Sequence, residues 1–234
     1  GSFNGCARHS TPAIRFLFDT RPTAIIAPML VQRIQQQFID SADLKYQSAP
    51  VLAPLVEGAV SALLAGLTGG GKVLACGNGA GAALAQQFVV HILGRHERDR
   101  PGLAAHSLSA DAAVLTGIAN DFDGRQVFAR QIHALGLAGD VLLVFSTDGQ
   151  AGNLVAAIEA AHEREMTVVA LTGARGGRVA ALLRDTDVHI GVPHEQASRV
   201  LEVQLLVLHC LADGLDAQLL GLPDSTPIDT ENPA

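Results

Sequence analysis

Five short apolar runs recur from residue 73 onward, each followed by a turn and a helical pattern: Val73–Cys76, Leu103–Leu108, Val141–Phe145, Thr167–Leu171 and Val188–Val192. Runs that are apolar at consecutive positions, rather than alternating, suit strands buried on both faces. Between them lie helical stretches near Ala82–Leu93, Ala110–Ala119, Gly152–Glu165 and Gly177–Arg184, with a further helix expected over Phe122–Leu135. Alternating β and α elements predict an α/β fold, a parallel sheet covered by helices. Residue types agree. The chain is 48% hydrophobic but only 4% aromatic, with no Trp, so its core is built from Ala, Leu and Val. That suits helices on a sheet better than an aromatic sandwich.

The flanks are helical. Met29–Tyr46 spaces Leu30, Ile34, Phe38 and Ile39 at close to 3.6 residues, an amphipathic pattern. Pro50 and Pro54 are expected to break the helix there, and Val51–Leu67 reads as a second one closed by Thr68-Gly69-Gly70-Gly71. At the other end Glu195–Leu219 is a long helix, with Val200, Val203, Leu206, Val207 and Cys210 in one apolar stripe. Gly1-Ser2 has the look of a cloning remnant, and residues 1–28 read as a leader of vector or upstream origin, with Met29 as the natural start. The alternative is a genuine N-terminal arm. Residues 29–222 are expected to form one domain and 223–234, with three prolines, a loose tail.

Charge and cysteines bound the function. Net charge is −7 with 16 basic residues among 234, which argues against nonspecific nucleic-acid binding. Cys6, Cys76 and Cys210 form no disulfide framework, and a reducing cytoplasm is the expected home. The longest stretch free of Asp, Glu, Lys and Arg, Val73–Gly94, contains Asn78, Gln86, Gln87 and His91; no membrane span is expected from it.

Two turns at strand ends stand out, because parallel sheets bind ligands beyond the carboxyl ends of their strands. The first is Cys76-Gly77-Asn78-Gly79-Ala80-Gly81, whose spacing does not match a dinucleotide fingerprint. The second is Ser146-Thr147-Asp148-Gly149-Gln150-Ala151. Hydroxyls at a helix start suit phosphate oxygens and also suit ordinary capping. Two such turns on one sheet favour a phosphate or sugar-phosphate site.

Val73–Asn78, Gly94-Arg95, Asn120-Asp121, Gly139–Thr147, Thr167–Gly173, Val192-Pro193 and Ser198-Arg199, taken in order, give the chain a wider likeness. From about Met29 to Leu220 it resembles the SIS (sugar isomerase) domain family, in its sedoheptulose 7-phosphate isomerase branch. Ile118–Asp121 and Ala134–Leu143 look most similar to a noncatalytic relative, the DnaA initiator-associating type. The resemblance implies a five-stranded flavodoxin-like three-layer sandwich whose terminal helices assemble a homotetramer.

What the resemblance implies for the site is mixed. Asn78, Gly79, Ala80 and Gly81 fall on the first substrate loop, Ser146, Thr147 and Asp148 on the second, and Asn120 and Asp121 on further substrate-contacting positions. Gly81, Asp148 and Ala151 stand where isomerases carry serines. The positions implied for a zinc ion are Gln87, His91, Leu201 and His209, an incomplete ligand set, so no metal or other cofactor is expected. His91 also replaces the glutamate that would move the proton. His91 and His209 remain candidate acid–base residues. His96 shows no ligand spacing and is expected at the surface or in packing. Leu219 and Leu220 fall at an apolar pair that contacts the replication initiator in the DnaA-associating type. The expectation is therefore a noncatalytic, sugar-phosphate-type cleft with a protein-interaction role. Its alternative is an active sedoheptulose 7-phosphate isomerase.

Overall fold

A computed structural model describes residues 26–221, with side chains from residue 29. The leader before Met29 and the tail after Leu222 lie outside the described residues, apart from the backbone of 26–28. The chain divides into two units after Asp43. In the first, the described residues belong to α1 (Ile26–Thr68), and Met29, Leu30, Val31, Ile34, Phe38 and Ile39 on it are exposed.

The second unit holds a five-stranded parallel sheet. Its strands are β1 (Val73–Gly77), β2 (Ala105–Ser107), β3 (Val141–Phe145), β4 (Thr167–Thr172) and β5 (Val188–Gly191), in the order β2-β1-β3-β4-β5. The α-helices among the described residues are α1, α2 (Ala80–Leu93), α3 (Ala112–Asp121), α4 (Ala129–Leu135), α5 (Gly152–Glu163), α6 (Gly177–Leu182) and α7 (Ala197–Leu220).

Alternate strand residues serve opposite layers. Val73, Ala75, Val141, Leu143 and Phe145 pack with Leu63 of α1, Phe88 and Ile92 of α2 and Val203 and Leu208 of α7. Leu74, Cys76, Leu142 and Val144 pack with Ile132 of α4 and Leu154 and Ile158 of α5. The apolar runs are apolar at every position because both faces are covered. The three-layer α/β architecture expected from the sequence is the one found.

Several local expectations are corrected. Pro50 and Pro54 do not break the first helix; α1 runs through both. Each proline forfeits one intrahelical bond, and its usual acceptors, the carbonyls of Tyr46 and Pro50, belong to exposed residues that water can satisfy. By length and composition the Met29–Thr68 part of α1 would suffice to cross a membrane, yet its Leu52, Ala59, Val60 and Leu63 are buried in the core. The Leu103–Leu108 run yields only Ala105–Ser107 as strand, because Leu103 donates its N–H to the Ile92 carbonyl at the end of α2. The expected Phe122–Leu135 helix is a 3-10 turn, Gly124–Gln126, and then α4. Asp123 imposes the break by accepting from the Arg125 N–H at 2.8 Å.

Candidate active site

The chain reverses direction across the sheet between β1 and β3, and the two neighbouring strands send their helices to opposite layers. Register pairs Gly77 with Phe145, so both strands end level. The crevice left there is where an open parallel sheet binds its ligands. A cavity of about 240 Å³ occupies it, lined by Asn78, Ala80 and Gly81, by Phe145, Ser146, Thr147, Asp148 and Ala151, by Leu154, and by Ala197 and Leu201 of α7. A second cavity of about 260 Å³ shares Thr147 and Asp148 and adds Gln150, Gly173, Ala174, Arg175, His194 and Glu195. Of the residues implied for the two substrate loops, all but Gly79 line the first cavity.

The first loop is made by glycine. A Cβ at Gly77 would lie 2.5 Å from the Gly81 backbone carbonyl, and one at Gly81 would lie 2.9 Å from the Phe145 carbonyl oxygen. Gly79 turns the chain at φ +54°, a conformation that suits glycine. The absence of a serine at position 81 therefore has a packing cause here: α2 begins in contact with the end of β3.

The second loop is held by side chains. Ser146, buried, accepts from the Gly149 N–H at 2.9 Å, and Asp148 Oδ1 accepts from the Gln150 N–H at 3.0 Å. Gln204 of α7, fully buried and overlooked in the sequence, donates to the Ser146 carbonyl at 2.6 Å. Asp148 thus serves its own loop rather than the start of α5. Asn120 and Asp121, at the end of α3, bond to each other at 3.0 Å and line neither cavity. They are exposed, and α3 buries none of its residues.

Farther along α2 and α7, imidazoles gather. Gln87 Nε2 lies 3.2 Å from His209 Nε2, and the His91 and His209 ring centroids are 5.6 Å apart. His96, expected to be uninvolved, joins them. Its Nδ1 is 3.5 Å from His91 Nδ1 and its ring stacks on His209 at 5.6 Å. Helical spacing could not reveal this, since α2 ends at Leu93 and the following loop folds His96 back. Burial, the like charge of His96, and to a lesser degree His209 and Arg100 push the His91 pKa below the usual histidine range, partly opposed by a backbone hydrogen bond at Arg95. His91 is therefore neutral at pH 7, and its Nε2 is buried without a partner.

Arg100 holds this end together. It donates to the His91 and Ile92 carbonyls at 2.8 and 3.0 Å and forms a buried ion pair with Asp216 of α7. The cluster lies about 12–15 Å from the cavity walls at Gly81 and Leu201, counting 1.5 Å per helical residue.

The donor chemistry does not fit the zinc set that the resemblance implies. Leu201 offers no donor atom, and among the described residues no three His, Cys, Asp or Glu side chains are placed to hold a metal ion.

Residues 37–173 match the SIS domain family. The chain is 54% identical to the phosphoheptose isomerase of Methylibium petroleiphilum over 85% of its own length and 99% of that protein's. It is 51% identical to the phosphoheptose isomerase of Aromatoleum aromaticum over 83% and 98%. The structure of phosphoheptose isomerase from Neisseria gonorrhoeae superposes with a TM-score of 0.77 at 41% identity, over 80% of this chain and 99% of that one. On the family match and these identities, this chain belongs to the SIS domain family and, within it, to the phosphoheptose isomerases.

Proposed function

We propose that the chain is an aldose–ketose isomerase acting on sedoheptulose 7-phosphate. The observation that carries this reading is the placement, along α2 and α7, of a neutral imidazole beyond a cavity at the strand ends. An extended seven-carbon sugar phosphate would lay its phosphate end by the loops and its C1–C2 end toward His91. The names of relatives above 50% identity favour turnover over the noncatalytic expectation.

In this reading His91 takes a proton from C1. The C–H electron pair becomes the C1=C2 bond of an enediolate as the carbonyl π electrons move onto O2. His91 returns the proton to C2, and His209, held by Gln87, passes the O1 hydroxyl proton to O2. Gln87 orients that imidazole. The chain would work as a cytoplasmic homotetramer, in keeping with the exposed apolar residues of α1 and with Val90 and Leu93 of α2.

Incubating purified protein with sedoheptulose 7-phosphate and following the aldose by NMR tests the proposal. Turnover is expected, falling about 10²–10⁴-fold in His91→Ala. A wild-type chain without turnover overturns it. Leu201 and Asp148 in the cavity wall favour one other reading, a noncatalytic sugar-phosphate binder that contacts the replication initiator DnaA through Leu219 and Leu220. Both leucines are exposed at the end of α7.

A further inference from the structure

The turn after β1 is tied to the start of α5 by a reciprocal amide pair. Asn78 Nδ2 donates to Asn153 Oδ1 at 2.9 Å, and Asn153 Nδ2 donates to Asn78 Oδ1 at 2.8 Å. Asn78 lines the first cavity; Asn153, the second residue of α5, is not among its lining residues. A primary amide has two N–H donors and two acceptor lone pairs, so the pairing leaves Asn78 one of each. A free amide at an exposed position rotates easily between its two faces. The pairing removes that freedom and sets which edge Asn78 turns to a ligand.

We propose that Asn153 is the positioning residue for Asn78, fixing one donor and one acceptor edge toward a polyol hydroxyl, a group that also donates once and accepts. This rests on the sugar-phosphate reading of the cavity and names a determinant within it that touches no ligand itself.

A double-mutant cycle on ligand affinity tests the inference. By calorimetry with sedoheptulose 7-phosphate, Asn153→Ala is expected to weaken binding about tenfold in the wild-type background and less than twofold in Asn78→Ala. Should Asn153→Ala disturb the start of α5, Asn153→Ser serves in its place. An equal loss in both backgrounds overturns the inference, because Asn153 would then act independently of Asn78. A second arm needs no ligand. The Asn78 side-chain amide proton donated to Asn153, followed by ¹⁵N NMR in the full chain, is expected to lose its protection from exchange in Asn153→Ala. Unchanged protection overturns the positioning role even where sugar phosphate binds. Loss of protection in a chain that binds no sugar phosphate upholds the tie between the two amides and overturns the substrate reading alone.

Discussion

The loops after β1 and β3 leave the sheet side by side and face one cavity, yet they are stabilised in opposite ways. The first contains no side chain where backbone meets backbone: Gly77, Gly79 and Gly81 let the turn close on itself and on Phe145. The second satisfies its N–H groups with its own side chains, Ser146 on Gly149 and Asp148 on Gln150. One loop owes its shape to missing atoms and the other to added ones. An anion arriving in the cavity meets a compact glycine turn on one side and a resident carboxylate on the other.

This contrast can be broken from either side. Adding one carbon to the first loop should do most damage: Gly77→Ala puts a Cβ against the Gly81 carbonyl and is expected to cost about 3 kcal/mol, read as a lower denaturant midpoint. Deleting one oxygen from the second loop should do less. Ser146→Ala strands the buried Gly149 N–H, for about 1–3 kcal/mol by the same measurement. If Ser146→Ala proves harmless, the second loop is not held as described.

The resident carboxylate gives a sharper test. Asp148→Ser is expected to tighten binding of sugar phosphate at least tenfold, about 1.4 kcal/mol, with Asp148→Asn giving part of that gain. Unchanged affinity in calorimetry would show that the carboxylate does not meet the phosphate.

The smallest expected effect is one of pH. Burial lowers the pKa of His91, and likewise of His189 in β5, below that of the unfolded chain. The unfolded state then binds more protons as pH falls. Stability is full above about pH 6.5 and declines as pH drops through the folded-state values. Thermal melts from pH 8 to 5 should show the decline, and His91→Gln should shrink it.

The strands were legible because burial on both faces writes itself as consecutive apolar residues. The cavity loops were legible because a strand must turn before its helix. Other features have no local trace. A proline reads as a break from sequence alone, and whether α1 survives Pro50 and Pro54 depends on water reaching the freed carbonyls. His96 lies five residues beyond His91, off any helical face, and only the fold of the loop after α2 brings the rings together. Asn153 and Gln204 look like ordinary helix residues until tertiary structure supplies Asn78 and the Ser146 carbonyl as their partners. Asn120 and Asp121 show the reverse: their likeness to substrate-contacting positions did not bring them to these cavities.

The pairing of β1 with β3 also has a consequence for synthesis. These strands are neighbours in the sheet, but α2, β2, α3 and α4 lie between them in the chain. As the polypeptide leaves the ribosome, β1 and α2 emerge well before β3. The crevice has only one wall until β3 docks against the far edge of β1, a closure over a long intervening segment and so a slow one. A nascent chain arrested before Phe145 has the glycine turn but no opposing loop. The capacity to hold a ligand therefore arrives late in synthesis, once the loop after β3 and then Ala197 and Leu201 of α7 have joined the glycine turn.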